Sequence, residues 1–210
     1  MKDMNQRITD ARNMFNIALT DAELQKELNA AGYSPEKLQT MCGLIDQVTA
    51  LNAVQAREYA EQLYATDGLD EKTALADKAY MRIVKLSRVA FADNTLAQKE
   101  LELFGRRKAA AGAWYNQAEL FYQGLLNQPA YQKPLAELGI TKDEIEKGYR
   151  LLKDIPAAKL TQKQETAQAI QATAARDAEL EKLDQEYSSF KKVCRVIFEG
   201  DKESLKKLGL

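Results

Sequence analysis

The stretch from Leu160 to Phe198, LTQKQETAQAIQATAARDAELEKLDQEYSSFKKVCRVIF, decides the fold. It holds neither Pro nor Gly, and it is rich in Ala, Gln, Glu, Lys and Leu, the side chains that lose least freedom on entering a helix. As a helix it makes a rod of roughly 60 Å. Its apolar residues, Leu160, Ala167, Ile170, Ala174, Leu183, Tyr187, Phe190, Cys194 and Ile197, recur mostly three and four apart, which places them on one stripe. The same rod appears earlier, from Ala53 to Phe91. Phe91 corresponds to Phe198 and Gly32 to Gly139, both at an offset of 107 residues. One constant offset over so long a span reads as a gapless internal duplication, with repeats of about 1–104 and 105–210.

Composition agrees with a helical protein. The 210 residues are 45% hydrophobic and 29% charged, as expected where each helix keeps one wet face. The length suits one domain, and two repeats that bury their stripes against each other predict a single helical domain over 1–210. The expected fold is all-α: a pseudo-twofold helical bundle in which each repeat supplies a first helix, a short αα-hairpin, a long rod and a short terminal helix.

Stop and start signals punctuate the chain. Leu-x-x-apolar-Gly recurs at Leu28–Gly32, Leu101–Gly105, Leu135–Gly139 and Leu205–Gly209, and each Gly is expected to end a short helix. Thr20-Asp21, Ser34-Pro35, Asp93-Asn94 and Thr141 with Glu144 offer helix N-caps. The hairpin's second arms are expected to end near Thr49 and Asp154, with Pro156 breaking the second. Asp67-Gly68 predicts a kink in the first rod, and Ala174-Ala175 none in the second. The second copy of the first helix is expected to begin near Arg107. Its run of Ala109, Ala110, Ala111, Gly112 and Ala113 predicts a close helix crossing beside Trp114 and Phe121.

The chain has no histidine. That removes Ser-His-Asp and Cys-His catalysis and the His ligands of di-iron bundles. It also removes the usual Cys/His zinc sets. The two cysteines, Cys42 and Cys194, align with Tyr149 and Ser87, so they do not read as a disulfide framework. A net charge of −1 gives no field for nucleic acid; basic residues gather at Arg106-Arg107-Lys108 and from Lys191 to Lys207, the latter stretch interrupted by Glu199, Asp201 and Glu203. No apolar run is long enough to span a bilayer and the first residues do not form a signal peptide, so a cytoplasmic protein is expected.

Polar residues shared by both halves mark a candidate site. Gln55, Thr66, Asp77 and Arg88 are spaced eleven apart and recur as Gln162, Thr173, Asp184 and Arg195. Eleven residues make about three turns, so the four share one face. Tyr80 and Tyr187 lie three residues beyond the Asp, and Glu58 matches Glu165. Asp77, Tyr80, Arg88, Asp184, Tyr187 and Arg195 are therefore the candidate ligand-binding residues. Asp77 and Arg88 lie about 16 Å apart along one helix and cannot pair, so Arg88 and Arg195 are expected to meet carboxylates on neighbouring helices. The leading functional expectation is a non-enzymatic protein acting through protein–protein contact or self-association, with no cofactor and no catalytic residues. The alternative is a small polar ligand, or a carboxylate-bound metal, held in a cleft between the two long helices.

Overall fold

The computed structural model describes residues 3–210, which form nine α-helices and, among the described residues, no strand. They are α1 (Met4–Thr20), α2 (Ala22–Ala30), α3 (Pro35–Ala90), α4 (Thr95–Glu100), α5 (Ala111–Asn127), α6 (Pro129–Glu137), α7 (Lys142–Lys153), α8 (Ile155–Ile197) and α9 (Lys202–Lys207). The protein is all-α. Helix boundaries recur at the 107-residue offset: α1 with α5, α2 with α6, α4 with α9, and α3 with α7 and α8 taken together.

The starts are capped as the side chains dictate. Asp21 accepts from the backbone N–H groups of Glu23 and Leu24, Asn94 from Ala97, and Asp201 from Glu203 and Ser204. Ser34 Oγ accepts from Lys37 N–H at 3.3 Å. Thr141 and Glu144 form a reciprocal capping box.

Two expected interruptions are absent. α3 runs unbroken for 56 residues, through Thr49 and through Asp67-Gly68. Gly68 weakens the helix by only about 1 kcal/mol relative to Ala and leaves every backbone donor in place. Nothing within α3 removes a donor either, since Pro stands only at its first position. The second half does lose one. Pro156 has no N–H for the carbonyl of Leu152, and a single residue, Asp154 (φ −78°, ψ −18°), separates α7 from α8.

Four short helices end in the same hydrogen bond. The N–H of Tyr33 reaches Leu28 O, Leu103 reaches Gln98 O, Ile140 reaches Leu135 O and Leu210 reaches Leu205 O, each at 2.9 Å. In three of these turns a Gly takes the positive φ that the motif requires: Gly32, Gly139 and Gly209. The fourth corrects the sequence reading. α4 ends at Glu100, and Glu102, not Gly105, takes the left-handed conformation at φ +48°. Gly105 lies farther on, in the loop that leads to α5.

α5 begins at Ala111, four residues later than expected, and the residues from Ala109 to Ala113 are exposed. A Cβ added at Gly112 meets nothing within 4 Å. The small residues therefore make no close helix crossing; the buried face of α5 starts at Trp114.

The helices gather into two compact units. Unit 1 comprises the chain up to Ala60 together with Ala167–Leu210; unit 2 is Glu61–Thr166. In unit 1, Phe15, Leu24, Leu28, Leu38 and Ile45 from the first half of the chain share a core with Leu183, Phe190, Cys194 and Leu208. In unit 2, Tyr80, Val84, Phe91 and Leu101 share a core with Trp114, Phe121, Tyr122, Leu135 and Ile145. Each core thus draws on both halves of the sequence. The amphipathic end of one long helix buries its stripe on the helical hairpin of the other half, a stripe it has no means of burying alone.

Candidate functional site

The shared Asp-x-x-Tyr pair sits near one end of each long helix, and each Asp is answered by an arginine. In unit 2, the Arg107 guanidinium pairs with Asp77 through its Nε–H and lies over the Trp114 ring, 4.7 Å from its centroid. Arg107 reaches both because the segment before α5 is not helical. Tyr80 is 3% exposed and meets Trp114 and Phe121 edge-on at 6.5 and 5.3 Å. Burial pushes its phenol up to about 12, against the opposing pull of the nearby Arg88 cation.

In unit 1 the pair is Asp184 and Arg7, whose Nε–H donates to Asp184 Oδ1 at 3.1 Å. Tyr187 is only half-buried; it packs edge-on against Phe15 at 6.0 Å, and Lys191 Nζ lies 3.9 Å from its ring centroid. Beside them is an open cleft of about 340 Å³ lined by Arg7, Asp10, Asp184, Tyr187, Ser188 and Lys191. All four carboxylate and guanidinium groups of the two Asp–Arg pairs remain about a third exposed. Such pairs contribute no more than about 1 kcal/mol each.

The two arginines singled out in the sequence do something else. Arg88 meets no carboxylate among the described residues, contrary to expectation. Its Nε–H and Nη2–H donate to the carbonyl oxygens of Leu103 and Gly105 at 2.9 and 2.7 Å. Those carbonyls are free because α4 has already ended, so Arg88 holds down the loop that contains the left-handed Glu102. Arg195 is exposed and meets no carboxylate among the described residues. Of the remaining shared residues, the two threonines serve their own helices and Gln55 meets a side chain of α8. Thr66 and Thr173 donate to the carbonyls four residues back, Gln62 and Ala169, both at 2.9 Å, and Gln55 accepts from Arg176 Nη1 at 3.1 Å.

Asp184 and Tyr187 therefore line a cleft in unit 1, while Asp77 and Tyr80 belong to unit 2, where Tyr80 is core. Sequence reasoning missed Arg7 and Arg107. No repeat signal would have found them, because at the 107-residue offset Arg7 aligns with Trp114 and the two arginines arrive from different positions. It also missed Asp10, Ser188 and Lys191, whose counterparts Gln117, Met81 and Val84 differ in kind.

Both cysteines are free. Cys194 is buried, and desolvation pushes its thiol up to about 12; Cys42, half-buried beside Asn16, is raised for the same reason. Neither is an activated nucleophile. Comparison with known protein families, with curated proteins and with solved structures found no match for the chain.

Proposed function

We propose that the protein acts by contact with other proteins, through apolar side chains that its two longest helices leave in solvent. The observation that carries this is Tyr64 on α3, 83% exposed beside Leu63. In unit 2, Leu75 and Leu160 are also exposed; in unit 1, Val54, Tyr59 and Ile170 are. Aromatic and aliphatic side chains held on a rigid helix cost little entropy to dock, and tyrosine is among the residues that dominate binding energy at interfaces. The absence of histidine and the raised thiols agree with a role that needs no nucleophile.

Sedimentation velocity over a concentration series, with a photocrosslinking residue placed at Tyr64, tests the reading. Concentration-dependent assembly, or a discrete crosslinked adduct lost in Leu63→Glu, is the expected result. A protein that stays monomeric at all concentrations and forms no discrete adduct in lysate from its own source would overturn it.

A second reading, binding of a small polar ligand, is favoured by the unit 1 cleft. Two of the residues singled out in the sequence, Asp184 and Tyr187, line it together with Arg7, Asp10, Ser188 and Lys191. Saturable binding of a co-purified small molecule, weakened at least tenfold by Ser188→Met, supports this reading; an unchanged affinity refutes it.

A further inference from the structure

The residues that line the unit 1 cleft have counterparts in unit 2, and one of those counterparts is a buried indole. Arg7 corresponds to Trp114, the chain's one tryptophan; Asp184 and Tyr187 correspond to Asp77 and Tyr80. In unit 2, Trp114 is buried in the same core as Tyr80 and Val84. The Tyr80 ring and the indole meet at an interplanar angle of 80°, and Arg107 covers the indole face while pairing with Asp77. In unit 1 the Asp and the Tyr are kept, and a guanidinium still answers the Asp. No indole is supplied. Arg7 occupies that register, and the cleft lies open beside it.

The chemistry of the substituted positions is specific as well. Val84 is matched by Lys191, Gln117 by Asp10 and Met81 by Ser188. In unit 1 these positions put a cation, an anion and a hydroxyl around a space of about 340 Å³.

We propose that the unit 1 cleft binds a small planar aromatic molecule that carries polar groups, an aromatic amino acid being the simplest of the class. This rests on the second reading above and names its ligand class. The ring lies on the Arg7 guanidinium, as Trp114 lies against Arg107, with the Tyr187 edge beside it. Lys191 and Asp10 meet the ligand's carboxylate and ammonium groups, and Ser188 supplies a hydrogen bond.

The test is a titration followed by backbone amide NMR, with L-tryptophan as probe and L-glutamine as a ring-free control. L-tryptophan at millimolar concentration is expected to shift the amides of Arg7, Ser188 and Lys191 saturably and to leave those around Trp114 unmoved. L-glutamine is expected to bind at least tenfold more weakly. Arg7→Trp, which places an indole where unit 2 has one, should abolish the response. Lys191→Val, which leaves the ring's seat intact, should weaken it several-fold and keeps the test open if the first variant does not fold. Equal binding of the two probes overturns the aromatic assignment and leaves a small polar ligand in place. No saturable shift with either probe overturns both.

Discussion

Tyr122 and Gly148 form a wedge that a double-mutant cycle measures. Tyr122 is fully buried, and its hydroxyl meets no hydrogen-bond partner among the described residues. Burial raises its pKa, so the group stays a neutral phenol. The hydroxyl fits only because residue 148 has no side chain: a Cβ there would lie 2.4 Å from Tyr122 Oη. At the 107-residue offset the same two positions are Phe15 and Met41, a ring without the hydroxyl opposite a full side chain. Leaving a buried hydroxyl unpaired costs about 1–3 kcal/mol. Tyr122→Phe therefore stabilises the protein by about 1–2 kcal/mol, raising Tm by about 2–8 °C for a chain of this size. Gly148→Ala gains about 1 kcal/mol of helix propensity but suffers overpacking of about 1–3 kcal/mol against the hydroxyl, so alone it is neutral to destabilising by about 2 kcal/mol. In the Tyr122→Phe background the nearest atoms are the ring carbons Cζ and Cε1 at 2.8 and 2.9 Å, still too close for a Cβ, so the ring must shift and part of the penalty is relieved. The cycle should return a favourable coupling of about 1 kcal/mol or more, the scale expected for residues in contact. Denaturant midpoints of the four proteins, followed by the fluorescence of Trp114, supply the numbers. A coupling below about 0.3 kcal/mol, or a Tyr122→Phe variant that is destabilised, refutes the wedge.

Three further predictions follow from single sites. Glu102→Gly should stabilise by about 0.5–1 kcal/mol, since a side chain at φ +48° carries a left-handed strain that Gly avoids, less the added chain entropy; thermal melts check it, and a loss of stability refutes the strain. Acid should weaken the N-caps: Asp21 and Asp201 have carboxyls held below the usual range, Asp21 chiefly by the Leu24 N–H and Lys207, Asp201 chiefly by Ser204. Because their folded pKa values are depressed, their stabilisation is present above the unfolded value of about 4 and is lost as pH falls through the lower folded values. Asp21→Asn, which keeps the cap and removes the charge, should flatten the acid limb of a Tm-versus-pH curve, and an unaltered limb refutes the assignment. Finally, Cys42 should alkylate slowly in the folded protein near pH 8, while Cys194 reacts only at the rate of unfolding; mass spectrometry of modified peptides distinguishes them, and equal rates contradict the burial of Cys194.

The sequence by itself determined the local layer: the helical segments, their N-caps and most of their stops, but not the joining of two expected helices into the single α3. Those depend on residues within a turn or two of each other. Asp21, Ser34, Asn94 and Thr141 cap because a short polar side chain reaches the next two or three N–H groups whatever lies farther off. The local errors also have local causes. Gly68 was read as a breaker although it removes no donor, and Gly105 was read as a stop although the helix had already closed over Glu102.

The tertiary structure alone decided which surfaces meet. Amphipathic stripes mark a buried face but not its partner, so the mixing of both chain halves in each core is invisible in the periodicity. The same holds for the polar pairs. Asp77 and Asp184 were legible as shared residues, yet their arginines, Arg107 and Arg7, approach from a nonhelical segment and from α1, with no common spacing. A side chain's partner across space depends on where the backbone returns, and no spacing within one helix encodes that return.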